Sequence, residues 1–109
     1  MVDYLDHLRR LSIDAEPRPG APENADSPSV LDDKERALLR LAALVAVSAS
    51  AASIRKDVDA AVSAGAGTAE IIDVLDVVMP HVGRPRVVKA APRFAVALGI
   101  DLDLLADGA

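Results

Sequence analysis

The sequence predicts an all-α fold in a single small domain of 109 residues. Hydrophobic residues make up 51% of the chain, yet it has only one Phe, one Tyr and no Trp, so the expected core is aliphatic. The apolar content is Ala, Val, Leu and Ile, of which alanine and leucine favour helices. Two segments, residues 71–82 and 87–98, also repeat apolar residues at the i, i+3, i+4 spacing of one helical face.

The N-terminal part of the chain is expected to lie outside the main body. Leucines recur at helical spacing between Val2 and Ile13 and predict a short helix. Residues 14–29 are rich in proline and acidic residues, which predicts an extended linker or a strap along the surface. We therefore expect an N-terminal helix with a proline-rich acidic linker over residues 1–30, and a helical domain over residues 31–109.

The main body is expected to begin at Asp32, which forms a capping-box pattern with Glu35. The helix that follows is expected to run to about Ala49. It is apolar nearly all round, so its burial is expected to require a second subunit. The next helix is expected from about Ala51 to Ala64, with Gly65 at its end.

The two remaining long helices carry the apolar stripes that predict the fold class. Thr68 is expected to cap the first of them, and Gly83 to end it. Pro85 is expected to open the second, Pro92 to kink it and Gly99 to end it. The stripes are Ile71, Ile72, Leu75, Val78, Met79 and Val82 in the first, and Val87, Val88, Ala91, Phe94, Ala95 and Leu98 in the second.

Charge and composition exclude several classes of partner. The net charge is −5, with acids in excess at both ends, which argues against a nucleic-acid partner because phosphate binding needs a basic face. The longest charge-free stretch runs from Leu41 to Ile54, too short for the roughly 20 residues that cross a bilayer. No secretory signal precedes it, so we expect a cytoplasmic protein without a membrane partner.

Metals and cofactors are not expected either. The chain has no cysteine, which excludes a disulfide framework and a cysteine-based metal site. Two widely separated histidines are too few for a metal site. No phosphate-binding glycine loop is present, so no cofactor is predicted.

Asp57 is the first candidate catalytic residue. It lies three residues after Ile54 and four before Ala61, so it shares their apolar stripe. Ser53 and Ser50 continue the same face towards the N-terminus of the helix. A carboxylate and two hydroxyls are therefore expected together on a buried side, with the serines as substrate-binding residues.

Two interpretations of Asp57 stay open. A desolvated carboxylate is suited to moving a proton, which fits a general acid or base. The alternative is a structural ion pair with Arg36 or Arg40, or a hydrogen bond at a subunit interface, because a buried carboxylate is costly when it is unpaired.

His81 is the second candidate catalytic residue. It lies near the end of a predicted helix, where a histidine can also serve only to interact with the helix dipole. A basic run follows it, in which Arg84 and Arg86 are candidates to bind a substrate carboxylate. The alternative for this run, which continues to Lys89 and Arg93, is a solvated face.

Four segments, taken in order, resemble the motifs of one protein family. They are residues 31–39 (LDDKERALL) for L-(S/D)-x-K-x-R-E-L-I, 58–65 (VDAAVSAG) for V-x-x-A-L-x-A-G, 68–75 (TAEIIDVL) for T-x-E-E-I-x-E-V-L, and 81–85 (HVGRP) for Y-x-G-F-P. Together they resemble the carboxymuconolactone decarboxylase family, which includes the alkylhydroperoxidase D-like proteins. The resemblance covers about two-thirds of the chain, from Leu31 to Gly99.

The chain departs from this family at the residues that carry its chemistry. Redox members have Cys-x-x-Cys followed four residues later by His, and those positions hold Ser50, Ser53 and Asp57 here. The family's glutamate in R-E-L falls on Ala37, and the tyrosine of Y-x-G-F-P on His81. Thiol peroxidase activity is excluded, because serine does not react with peroxide as a thiolate does.

The resemblance implies an alkylhydroperoxidase D-like fold with a central antiparallel helical hairpin, in a trimer or hexamer whose sites lie near subunit contacts. Two hypotheses for function follow. The favoured one is a non-catalytic oligomeric binding or scaffold protein with a protein partner. The other is a cofactor-free decarboxylase, isomerase or lactone-acting enzyme on a small organic acid, with Asp57 and His81 as catalytic residues.

Overall fold

The computed structural model describes residues 3–13 and 30–107, and all regular secondary structure in them is helical. The all-α prediction is therefore confirmed. The predicted linker, residues 14–29, lies outside the described residues, and the division of the chain at residue 30 stays a prediction. The six helices are α1 (Asp3–Ser12), α2 (Asp33–Ala46), α3 (Ala51–Ser63), α4 (Thr68–Val82), α5 (Arg84–Ala97) and α6 (Leu102–Asp107).

Helices α2 to α5 form the body of the domain. Helix α2 packs against α3, α4 and α5, and α3 packs against α5. Because only four residues join α2 to α3, these neighbours run antiparallel and form the central hairpin. Helix α4 lies beside α2 with the two N-terminal ends together, where Lys34 Nζ is 3.0 Å from Glu70 Oε2.

The core is aliphatic apart from a single aromatic side chain, as the composition predicts. It takes its side chains from one face of each of these four helices. The largest side chains that are fully buried are Phe94, Leu41, Ile54, Ile71, Val45 and Val58. Among the described residues no polar or charged residue is buried, so the interior holds no desolvated acid or base.

The start of α2 confirms the predicted capping box. Asp32 Oδ1 accepts a hydrogen bond from the Glu35 backbone N–H at 2.7 Å, and Glu35 Oε1 accepts one from the Asp32 N–H at 3.0 Å. The end of α2 differs from the prediction: the helix stops at Ala46, not near Ala49. The reason is Ser48, whose positive φ of 54° turns the chain towards α3.

The burial of α2 is less complete than its composition suggests. Ala37, Leu41 and Val45 are buried, but Leu39 is 55% exposed. The single chain covers only the faces of α2 towards α3, α4 and α5, and the expectation that a second subunit completes the burial stays a prediction.

The start of α4 corrects a second prediction. Gly67, not Thr68, is the N-cap residue, and Thr68 is the first residue of the helix. The Glu70 side chain replaces the missing cap by accepting a hydrogen bond from the Gly67 N–H at 2.9 Å. Gly65 follows α3 with a φ of 97°, a left-handed conformation that glycine adopts at no steric cost.

Helix α5 begins and ends close to the predicted residues. Pro85 lies in its first turn, and the helix continues through Pro92 to Ala97. No helix in residues 3–13 and 30–107 combines the length and the apolar character needed to cross a membrane.

Helix α1 stands apart from the body. None of its residues comes within contact distance of another helix in the described part of the chain. All of its large apolar side chains are exposed, namely Tyr4, Leu5, Leu8 and Leu11.

Candidate functional site

Ser50 and Ser53 lie at the start of α3, where their hydroxyls serve the helix itself. Ser50 is the N-cap residue, and its Oγ accepts a hydrogen bond from the Ser53 backbone N–H at 3.2 Å. The Ser50 hydroxyl also donates to Ser53 Oγ at 3.2 Å. Both serines are exposed, so the prediction that they lie on a buried side is wrong. The buried stripe of α3 begins at Ile54, one residue further along.

Asp57 is half-buried and lines a surface cavity between α2 and α3. The cavity has a volume of about 620 Å³. Its lining is mainly polar: Asp33, Arg36, Arg40, Lys56, Asp57, Ala60, Ser63 and Ala64. Both acidic and basic side chains therefore face this space.

The predicted ion pair between Asp57 and an arginine of α2 is not formed. The ion pairs among the described residues join Arg9 to Asp6 and Lys34 to Glu70. Arg36 and Arg40 nevertheless share the cavity with Asp57. A ligand carboxylate in this cavity would therefore meet the cationic groups of Arg36, Arg40 and Lys56, and also the carboxylates of Asp33 and Asp57.

His81, Arg84 and Arg86 lie elsewhere. All three are exposed, near the turn between α4 and α5, and none lines the cavity of Asp57. Arg86 donates a hydrogen bond from Nη1 to the Val82 carbonyl oxygen at 3.3 Å, across that turn. The residues predicted to share one site are therefore not gathered in one cavity of a single chain.

Arg93 makes a long-range contact that the sequence pattern did not single out. Its Nη1 donates to the Ala49 carbonyl oxygen at 2.8 Å, and this part-buried bond ties α5 to the turn between α2 and α3. The turn is irregular because Ser48 has a positive φ. The backbone carbonyls of the turn therefore lack the N–H partners that a helix would supply. The basic run contained Arg93, but helical spacing alone cannot identify a carbonyl 44 residues away.

The family of the chain follows from a comparison with family models. The model of the carboxymuconolactone decarboxylase family matches residues 21–96, which is more than half of the 109 residues. The chain belongs to the carboxymuconolactone decarboxylase family. Comparisons with curated proteins and with solved structures gave no match.

This member of the carboxymuconolactone decarboxylase family lacks the Cys-x-x-Cys pair, since it contains no cysteine. Ser50, at the position that the motif comparison assigns to the first of those cysteines, caps α3. Its hydroxyl donates a hydrogen bond to Ser53 Oγ. Serine hydroxyls do not react as the thiolates of a cysteine pair do.

An apolar groove between α2 and α4 is a further feature of this family member. It has a volume of about 440 Å³. Its lining is Leu31, Glu35, Leu38, Leu39, Ala42, Glu70, Asp73, Val74, Val77 and Val78. The acidic side chains lie at the end near Leu31, and the other end, near Ala42 and Val78, is apolar. Sequence reasoning missed this groove because Leu39 and Val77 lie beside the buried stripes.

We expect Arg93→Met to lower the free energy of unfolding by about 1.5–3 kcal/mol, because it leaves the Ala49 carbonyl without its charged donor. Arg86→Met is the matched control, since Arg86 is exposed and its bond to Val82 is longer. Urea unfolding of both variants measures the difference. Equal losses in the two variants would contradict the role assigned to Arg93.

We also expect Glu70→Gln to change the free energy of unfolding by an amount that depends on pH. The Gly67 backbone N–H, and then Lys34, hold the pKa of Glu70 below its ordinary value of 4.5. A lowered folded-state pKa stabilises the fold above the unfolded value, and this contribution is lost as the pH falls through the folded value. Glutamine keeps the cap acceptor and removes the charge.

The urea midpoint of Glu70→Gln should therefore lie slightly below that of the parent at pH 7. The gap should close as the pH falls below 4.5. A gap that stays constant down to pH 3 would mean that the charge of Glu70 contributes nothing. The effect is expected to be small, because Lys34 and Glu70 are both partly exposed to solvent.

Proposed function

We propose that this chain is a non-redox, non-catalytic member of its family, which acts as a homo-oligomeric binding or scaffold protein. The observation that carries the proposal is the separation of the candidate catalytic residues. Asp57 lines one cavity, and His81, Arg84 and Arg86 lie outside it. Ser50 and Ser53 are engaged in capping α3.

The interior supports the same proposal. Active sites commonly use desolvated acids and bases with shifted protonation. Among the described residues the buried positions are all apolar. A protein that only binds a partner does not need desolvated acids or bases. Its exposed apolar side chains are then candidates for the binding surface.

Charge on the outer faces of α4 and α5 supports assembly with further copies. The outer face of α4 carries exposed Asp73 and Asp76 around Ile72. The outer face of α5 carries exposed Arg84 and Lys89 around Val88. Contact between α4 of one copy and α5 of the next would join opposite charges around an apolar centre.

Such a contact is heterologous, because it joins two different surfaces, and heterologous contacts form rings when the rotation closes. A trimer or hexamer, as the family resemblance implies, is the expected assembly. The α4–α5 contact pairs surface charges, so its strength should fall with added salt.

Sedimentation velocity of the full chain tests this proposal. We expect a defined oligomer at low salt that dissociates partly as the salt concentration rises from about 0.05 to 0.5 M, because added salt shortens the range over which opposite surface charges attract. A monomer at every concentration and salt would overturn the assembly.

The cavity of Asp57 favours a second candidate function. A cofactor-free enzyme would bind the carboxylate of a small organic acid through Arg36 and Arg40, and Asp57 would move a proton. His81, Ser50, Ser53, Arg84 and Arg86 would join this site only if a neighbouring subunit supplied them. Thermal shift with a panel of small dicarboxylates, on the parent and on Arg40→Met, tests this function. Stabilisation of the parent alone would favour it.

A further inference from the structure

Helix α1 has an apolar face with no partner in the described chain. Tyr4, Leu5, Leu8 and Leu11 form this face, and all four are exposed. The contacts that α1 does make are local: the Arg9–Asp6 ion pair at 3.2 Å and the bond from Ser12 Oγ to the Leu8 carbonyl at 2.8 Å. An isolated helix of 10 residues is marginal in water, so α1 needs a surface that covers its apolar face.

The groove between α2 and α4 offers α1 an apolar surface of similar length to the apolar face of α1. Most of its lining is apolar, and Leu39 and Val77 at its edges are 55% and 64% exposed. It extends along α2 from Glu35 to Ala42, about two turns of helix. Two turns are also the distance over which the leucines of α1 repeat.

Charge sets the direction in which α1 fits. The end of the groove near Leu31 carries Glu35, Glu70 and Asp73, of which Glu70 is paired with Lys34. The basic residues of α1, Arg9 and Arg10, lie in its last turn. Opposite charges therefore meet when the C-terminal end of α1 lies at the Leu31 end of the groove.

Chain connectivity favours the same direction and the same polypeptide. Residues 14–29 link α1 to Val30, and a fully extended chain of this length spans at most about 55 Å. With α1 in that direction, its C-terminal end and Val30 lie at the same end of the groove, well within this reach. A tethered segment has an effective concentration in the millimolar range, far above that of a second copy in dilute solution.

We propose that α1 packs its apolar face into the α2–α4 groove of its own chain, with its basic C-terminal end at the acidic end of the groove. The groove is then an internal docking surface, which shares Asp73 with the outer face of α4 proposed for assembly. This inference does not depend on the proposed function.

Hydrogen exchange of the full chain, followed by mass spectrometry on peptides from residues 3–12, tests the proposal. In the parent we expect these amides to exchange at least about tenfold more slowly than in an unstructured peptide. Leu39→Glu, which puts a charge into the groove, should remove this protection. Val62→Glu is the matched control, because Val62 is 53% exposed but lies on α3 outside the groove. It should leave α1 protected.

Three results would overturn the proposal. The first is no protection of α1 in the parent. The second is an equal loss of protection in the Leu39→Glu and Val62→Glu variants while the amides of α3 and α5 stay protected. The third is protection that disappears on dilution, which would place α1 on another molecule. Protection that is independent of concentration and lost only in Leu39→Glu supports docking within one chain.

Discussion

Replacing Phe94 with alanine is expected to lower the free energy of unfolding by about 3–5 kcal/mol. Phe94 is 1% exposed, and it is the largest of the fully buried side chains. It lies on the buried face of α5, a helix that packs against α2, α3 and α4. Small domains have a total stability of about 5–15 kcal/mol, and the variant should lose a large part of it.

Chemical unfolding of Phe94→Ala beside Val96→Ala measures this effect. Val96 lies on the same helix but is exposed, so its truncation should cost less than about 0.5 kcal/mol. A loss below about 1 kcal/mol in Phe94→Ala would mean that α5 does not pack as described.

The second large effect is expected at Leu41 in the middle of α2. Leu41 is fully buried, and its replacement by alanine should cost about 2–5 kcal/mol, including the cavity that remains. Leu39→Ala on the same helix is a control of the same residue type. Leu39 lies outside the four-helix core, at the edge of the groove, so its truncation should cost clearly less even when α1 covers it.

The comparison of Leu41→Ala with Leu39→Ala also tests the direction in which α2 faces. Urea unfolding monitored by circular dichroism gives both values. Equal losses, or a larger loss for Leu39→Ala, would contradict the placement of Leu41 towards the core and Leu39 towards the groove.

Local signals in the sequence predicted the helices well, because each depends on neighbouring residues. The capping box of Asp32 and Glu35 and the glycine after α3 lie where they were expected. The stripes were less accurate. Ile72 and Val88 were assigned to the buried faces but are exposed, whereas Val74, not predicted, is buried. Adjacent positions differ by only about 100° around a helix, so tertiary packing decides which of them is covered.

The candidate site was harder to predict, because it depends on contacts between helices. The spacing of positions 50, 53 and 57 does place them on one side of α3. At the N-terminal end of α3 this side lies beyond the core, because α2 already stops at Ala46. Ser50 and Ser53 are therefore exposed to solvent. Helical spacing also gave no information on the distance from Asp57 to His81, which belong to different helices.

The central proposal is that this family member assembles through the charged outer faces of α4 and α5, without a role for Asp57 and His81 in the assembly. Sedimentation velocity at low salt on three proteins tests it: the parent, the double variant Asp57→Asn/His81→Gln, and Asp76→Lys. We expect the parent and the double variant to share one oligomeric mass, and Asp76→Lys to give a smaller species. An unchanged mass for Asp76→Lys, or a smaller species from the double variant alone, would contradict assembly through these faces.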